Sequence, residues 1–478
     1  MRYLKLLPLN VLLLASMPTH GQSRNDHWFL MRDVWMDFSS GGPTNQGGLA
    51  SQPGYAASLA SPAGALLLYT PGDTVYNASQ EPVIGTDDDI LADGAQGALM
   101  LPWPNDSSRV AVFAVKGSAG GLGAYTFFFD VDLTMNGGAG GTNYPQAIDF
   151  MEPPALPGGK MTGIPHANGT DYWVLVHERD TDGYHAYHLD PSGLDTVPVI
   201  SNTGAVHGPS YDRGCMVASY DGSLLAMTAY VVSDTSLVDI LSFNDATGEV
   251  SAICSLPGLQ FAQGVEFSPG GTKLYVTDQF YTGFSIMQQL WQYDLSSLDC
   301  AGIRNSKTLI REDSSLYGNI SALKVLAQGP DGKIYYRHFW KHNYLGVVND
   351  PDESGVACNY VQDGYLTLND TLLSITNQCK RYHDSEMPWT LGVREEPGPE
   401  RAQVWPVPMR TEGWLRLAPG HVFDALLWTD AMGRTVRRTT TTPVNGLALQ
   451  PEGLAPGVYT LRALRQGVVI GVGSVVKE

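Results

Sequence analysis

The chain has 478 residues, room for about three ordinary domains or for one large repeat domain and a small one. Apolar residues make up 43% and charged residues only 16%, with 53 Gly and 30 Pro, which excludes a disordered chain, a coiled coil and a helical bundle. The net charge of −19 argues against a nucleic-acid partner, because a polyanion needs a basic face to displace its counterions. The charge is also uneven: residues 400–478 hold nine Lys/Arg and six Asp/Glu, residues 1–399 hold 20 and 42, and two modules with different tasks are expected.

The chain opens on an export address. Arg2 and Lys5 precede a mostly apolar stretch, residues 6–17, that is too short to span a bilayer. Thr19 and Gly21 then supply small residues at the two positions a signal peptidase reads. Residues 1–21 are therefore expected to be a signal peptide, cut between Gly21 and Gln22. No later stretch carries 18 uninterrupted apolar residues, so no transmembrane segment is expected in the mature chain. Export permits disulfides, but the five cysteines (Cys215, Cys254, Cys300, Cys358 and Cys379) are odd in number and form no C-x-x-C pair. Disulfides and buried small thiols both stay open.

One unit then recurs: a small or Asp/Asn residue, a Gly, and an alternating apolar run. Copies end their turns at Gly64, Gly169, Gly222, Gly271 and Gly332, with a weaker copy at Asn105 and Asp106. The last four glycines lie 53, 49 and 61 residues apart, and the first two 105 apart with the weak copy between them. Gly accepts a positive φ in a hairpin turn, and β-branched or aromatic residues follow on a pleated strand. A four-stranded unit repeated every ~50 residues is the mark of a β-propeller blade. Residues 22–392 are thus expected to form an all-β propeller, best fitted by seven blades. Its first strand, residues 28–38, is expected to pair with strands near the end of the array and close the ring.

The stretches 166–177 (HANGTDYWVLVH), 264–269 (GVEFSP), 329–335 (GPDGKIY), 345–351 (LGVVNDP) and 357–360 (ACNY) carry a further signal. In this order they resemble exported propellers of Bacteroidota-type bacteria. That resemblance implies a fold and an export route, and it does not name a ligand.

Residues 393–401 form a polar Pro/Gly linker, and residues 402–478 hold short strands between Gly/Pro turns, as in a small immunoglobulin-like β-sandwich. Pro406 and Pro408, the Gly433-Arg434 turn, Gly457-Val458-Tyr459 and Lys477 follow one another in a set order. The module resembles the C-terminal sorting domain of type IX secretion (Por, type A). The resemblance implies that the type IX machinery is a partner and that the chain passes through the periplasm. It also implies loss of the tail and a final place in the medium or on the outer cell surface.

Catalytic patterns are scarce. No H-E-x-x-H helix, phosphate-binding loop or G-x-S-x-G elbow occurs, and no catalytic residue is assigned. His166, His177, His185 and His188 fall close together; His166 and His188 could meet as metal ligands or simply satisfy a turn. Residues 87–89 and Asp180 with Asp182 could hold calcium, but neither run is a full calcium loop, and solvated turns are favoured. No other cofactor is expected. Tyr211, Phe280, Tyr281, Phe284, Phe339, Trp340 and Tyr344 are expected in loops or strand ends, where they could stack on a ligand or pack between blades. The favoured function is a non-enzymatic binding or adhesion module for an extracellular glycan or protein. The alternative is a hydrolase or lyase of extracellular polymer, with an acidic or metal site at the propeller centre.

Overall fold

The computed structural model describes residues 24–31, 34–47, 56–72, 74–86, 96–116, 125–143, 147–151, 154–206, 214–229, 236–282, 285–315, 326–337, 343–367, 375–383, 400–417, 421–430, 434–465 and 468–478. The recurring turn is its local building unit. Gly64, Gly169, Gly222, Gly271 and Gly332 all have φ between 68° and 84°, and Asn105 of the weak copy has φ 59°. In each glycine copy the Gly amide donates to the carbonyl three residues earlier, at 2.9–3.2 Å. Only a residue without a Cβ takes that backbone at no steric cost, and a Gly after a tight turn lets two twisted strands leave in register.

Each turn joins the first two strands of one antiparallel sheet. The chain makes two compact units, Met1–Trp389 and Thr390–Glu478. Among the described residues of the first unit, seven sheets follow one another in chain order. Blade 1 comprises His27–Met31, Val34–Asp37 and Thr44–Gly47; blade 2 comprises Ala57–Ala60, Leu66–Thr70 and Tyr76–Asn77. Blade 3 comprises Ala98–Trp103, Asp106–Lys116, Tyr125–Asp132 and Gly141–Thr142. Blade 4 comprises Pro157–Pro165, Tyr172–Glu178, Gly183–Asp190, Gly193–Leu194 and Val199–Asn202. Blade 5 runs Met216–Ala218, Leu224–Ala229, Ser236–Asn244 and Glu249–Leu259. Blade 6 runs Val265–Phe267, Lys273–Thr282, Ser285–Asp294 and Thr308–Ser315, and blade 7 runs Leu326–Gln328, Ile334–Arg337, Tyr344–Val348 and Tyr360–Leu366.

Both faces of these sheets are apolar, and the two-residue period of a strand divides them between two neighbours. In the second strand of blade 4, Tyr172, Val174 and Val176 join the core shared with blade 3. The intervening Trp173 and Leu175 pack with Met216, Leu225 and Leu241 of blade 5. Every other pair of neighbours is packed the same way: blades 5 and 6 around Val238 and Leu274, blades 6 and 7 around Tyr275 and Ile334. The seam closes too, with Trp28, Leu30 and Phe38 of the first blade against Ala327, Tyr335 and Val347 of the seventh. The fold is a seven-bladed β-propeller.

The closure differs from the expected one. Residues 28–38 are not one strand paired to the end of the array. His27–Met31 pairs with Val34–Asp37 inside its own blade. The ring is shut by side chains: Trp28 meets Tyr335 edge-on at 5.6 Å, and Phe38 meets it at 5.8 Å. The cysteine question is also resolved. Cys254, on the outer strand of blade 5, is bonded to Cys300, at the start of the helix Cys300–Asn305 in blade 6. Cys215, Cys358 and Cys379 are buried thiols.

The second unit is a β-sandwich. One sheet orders Glu400–Arg401, Val468–Lys477, Gly457–Arg465, Phe423–Thr429 and Thr435–Val444; the other orders Gln403–Trp405, Gly413–Arg416 and Gly446–Leu449. Met409, Leu415, Phe423, Trp428, Leu461 and Val475 fill the space between them. Glu400 and Arg401, at the end of the Pro/Gly stretch, already belong to the larger sheet.

Two outcomes follow. Gly271→Ala meets no atom within 4 Å but must hold φ +68°, so a loss of about 1 kcal/mol is expected from urea unfolding; Gly222→Ala also meets Ile164 Cγ2 at 2.9 Å and should lose more. The Cys254–Cys300 bond closes a loop of 46 residues, so Cys254→Ser should lose about 2–4 kcal/mol, and adding reductant to the parent should reproduce that loss.

Candidate functional site

The residues of the sorting resemblance lie far apart in sequence, and several meet at one end of the sandwich. Gly457, Val458 and Tyr459 pair directly with Lys477, Val476 and Val475. The Lys477 ammonium donates to the Leu454 carbonyl, just ahead of that strand. Tyr459 is buried edge-on against Trp428, and its hydroxyl donates to the Ala455 carbonyl at 2.7 Å. Pro406 and Pro408, both preceded by cis peptide bonds, lead into Met409, whose amide donates to Val476 O at 2.7 Å and whose carbonyl accepts from Glu478 N. Arg434 closes a tight turn: its amide and Nε donate to the Asp430 carboxylate at 3.0 and 2.9 Å. Thr429, next to that turn, pairs with Thr460. The Pro pair, the Gly-Val-Tyr strand and the terminal Lys thus form one patch, with the Arg434 turn beside it. Val458 stays half exposed there. Gly433, Gly21 and Gln22 lie outside the described residues.

The centre of the propeller is filled by the chain itself. Residues 375–383 run along the axis and touch the inner strands in turn. Thr376 Oγ1 accepts from Phe29 N at 2.6 Å and donates to Phe29 O at 2.9 Å. Asn377 donates to Ala98 O and Met161 O, at 2.9 and 3.3 Å, and its Oδ1 accepts from Gln96, which also clasps Met216. Gln378 donates to His27 O and to Ser58 Oγ. The Cys379 thiol faces Gly163 O, and burial pushes it up to about 12. Lys380 is ion-paired with Glu266, a fully buried acid that also accepts from Gln328 N and Phe267 N. These contacts reach all seven blades.

The acid at the axis is therefore engaged by a cation and two backbone amides. Among the described residues, no three His, Cys, Asp or Glu side chains converge as a metal site. His166 and His188 do approach, with ring centroids 4.9 Å apart, but both lie against Trp173 as an aromatic stack. Burial first, and then His188, holds the His166 ring below its ordinary value, so it is neutral at pH 7. Asp180 is an exposed positive-φ residue in the turn between two strands of blade 4. Residues 87–89 lie outside the described residues, as do Tyr211, Phe284, Phe339 and Trp340. Phe280 is half-buried within a strand of blade 6, and Tyr344 is half-buried at the start of one in blade 7.

A cleft of about 430 Å³ opens beside the end of the axial segment. Its walls come from the Pro104–Asn105 turn of blade 3, Gly169 and Thr170 of blade 4, Arg24, and His383. Trp103 and Tyr172 form buried parts of the wall. The Arg109 guanidinium carbon lies over the Trp103 indole, 3.5 Å from its centroid, and the group holds both oxygens of the buried Asp130. No sequence motif marks this cleft. Its one visible sign was the Trp103 to Arg109 hairpin, where a tight turn folds an Arg back over an aromatic ring.

No protein-family model matches the chain, and no curated protein matches it. Solved structures do resemble it. A candidate 6-phosphogluconolactonase from Bacteroides fragilis is 11% identical, with a TM-score of 0.39, over 74% of this chain and 98% of that one. A protein of unknown function from Desulfotomaculum acetoxidans is 11% identical, with a TM-score of 0.41, over 74% and 99%. A quinoprotein alcohol dehydrogenase-like protein from Bacteroides thetaiotaomicron is 10% identical, with a TM-score of 0.32, over 70% and 74%. At these scores the likenesses carry no argument about chemistry.

The axial ion pair can be tested directly. Lys380→Met should leave Glu266 buried without its counter-charge and lower stability by about 3 kcal/mol or more in chemical denaturation. Adding Glu266→Gln should restore part of that loss, giving a clear coupling term in a double-mutant cycle.

Proposed function

We propose that the chain is an exported passenger of type IX secretion. Its propeller acts as a non-enzymatic binding or adhesion module for an extracellular glycan or protein, and its sandwich is the sorting signal. The observation that carries this reading is the convergence of Pro406, Pro408, Gly457, Val458, Tyr459 and Lys477 on one end of the sandwich, with the Arg434 turn beside them. Val458 and Arg434 remain exposed at that end, where a receptor could read them. The disulfide in the propeller suits an oxidising compartment outside the cytoplasm. With residues 375–383 on the axis, a ligand would be met by loops at the ends of the blades, where scaffolds commonly carry recognition.

The test is fractionation of the native host, with mass spectrometry of both protein ends. The reading expects an N-terminus at Gln22 and loss of the tail beyond about Arg401, in the medium or on the outer surface. Arg434→Ala removes an exposed ion pair worth under about 1 kcal/mol, so the purified variant should melt like the parent while the cell retains it in the periplasm. An intact tail that stays periplasmic in the parent would overturn the reading.

A further inference from the structure

Among the described tryptophans, Trp28, Trp103, Trp173 and Trp428 are buried, and Trp35 and Trp291 are half-buried. Only Trp405 and Trp414 are exposed, at 44% and 50%. These two are direct partners across neighbouring strands of the smaller sheet of the sandwich. Alternation along the strands turns them outward. Leu415 and Leu449 enter the core and Val404 packs against it, so Trp405, Trp414 and Ala448 share the opposite face. Side chains directly opposite one another leave a sheet with Cβ atoms about 5 Å apart. Even so, among the described residues no other ring and no cation is stacked on either indole.

The rest of that face is low and polar. The next outward row is Gln403, Arg416 and Gly446, and the third strand brings only Gly446 and Ala448 beside Arg416 and Trp414. Arg416 donates from Nε to Asn445 Oδ1 at 3.1 Å and engages no carboxylate among the described residues. Gln403 is exposed with its amide unengaged, and so is the Glu412 carboxylate, two positions before Trp414. One cation and one anion thus flank the indole pair, which favours a neutral ligand rich in both donors and acceptors. Protein-binding patches have an apolar core. Within these three strands no Leu, Ile, Val, Met or Phe shares the outward face with the two tryptophans. Flat indoles ringed by donors and acceptors suit sugar rings, whose C–H faces stack while their hydroxyls bond at the rim.

We propose that the outer face of the smaller sheet binds a neutral, extended β-1,4-linked oligosaccharide, with sugar rings on Trp405 and Trp414 and hydroxyls at Gln403, Arg416 and Glu412. A β-1,4-linked hexose chain is a flat ribbon, as this face is a flat shelf. The inference goes beyond the export reading and does not depend on it: the sandwich carries this face whether the tail is kept or removed.

The experiment is calorimetric titration of the full-length mature chain with cellohexaose, β-1,4-mannohexaose and maltohexaose, a chain that curls. At least one of the two flat probes should bind saturably and with little salt dependence, and maltohexaose about tenfold or more weakly. Trp414→Ala should weaken the flat probe by about tenfold or more while the melting curve stays in place, because the side chain is exposed. Ala448→Glu, at the exposed position beside Trp414, should also block the shelf, and it guards against a folding defect in the first variant. Silence with both flat probes, equal binding of maltohexaose, or binding that survives both substitutions would each overturn the inference. A dimer in sedimentation that Trp414→Ala disperses would overturn it too, assigning the face to a second copy of the chain. None of these outcomes touches the processing and location of the chain, so they are distinguishable from failure of the export reading.

Discussion

A sheet with two apolar faces cannot stand at an edge, and the propeller is organised around that constraint. Each blade needs a covered neighbour on both sides, and only a closed ring gives all seven such neighbours. Alternation along a strand does the dividing. Tyr172 and Trp173 are adjacent in sequence yet belong to the cores of different blade pairs. Phe29 stacks on Tyr69 of blade 2 at 4.5 Å, while its neighbours Trp28 and Leu30 pack on blade 7. The first blade is thus the joint on which both directions of the ring depend.

The hairpin turns were legible in the sequence because positive φ leaves a chemical trace: glycine, or Asn at position 105. Those turns are six, and it is their spacing of about 50 residues, set against the length of the body, that leads to seven blades. The closure was not legible, because stacking of Trp28 and Phe38 on Tyr335 has no local signature, and residues 28–38 read as one strand. The axial segment was harder still. Thr376, Asn377 and Gln378 look like a surface loop, and each is buried with its polar atoms matched to strand carbonyls and amides. Such matching is set by three-dimensional register, to which sequence spacing is blind. The disulfide partners also had to wait for geometry, since five cysteines allow many pairings.

The same contrast runs through the candidate sites. The sorting-type residues could be read in order because a short motif was enough, and the sandwich then brings many of them to one place. The cleft had no motif. It exists because the ends of blades 3 and 4 and of the axial segment meet, and its most constrained group, Arg109, takes its pose from a ring six residues earlier and a carboxylate on the next strand. The electrostatics follow the same logic: a guanidinium stacked and bidentately held has one orientation, whereas a solvated one has many.

The axial segment also sets the order of assembly. Thr376 bonds Phe29 across 347 positions and Gln378 bonds His27 across 351, so these contacts wait until nearly the whole propeller chain has been synthesised. Individual hairpins are local and form early, but the closing contacts carry the loop entropy of the full ring. A growing chain therefore holds the pieces of a disc until residues 375–383 arrive, and only the sandwich remains to be made after it is finished.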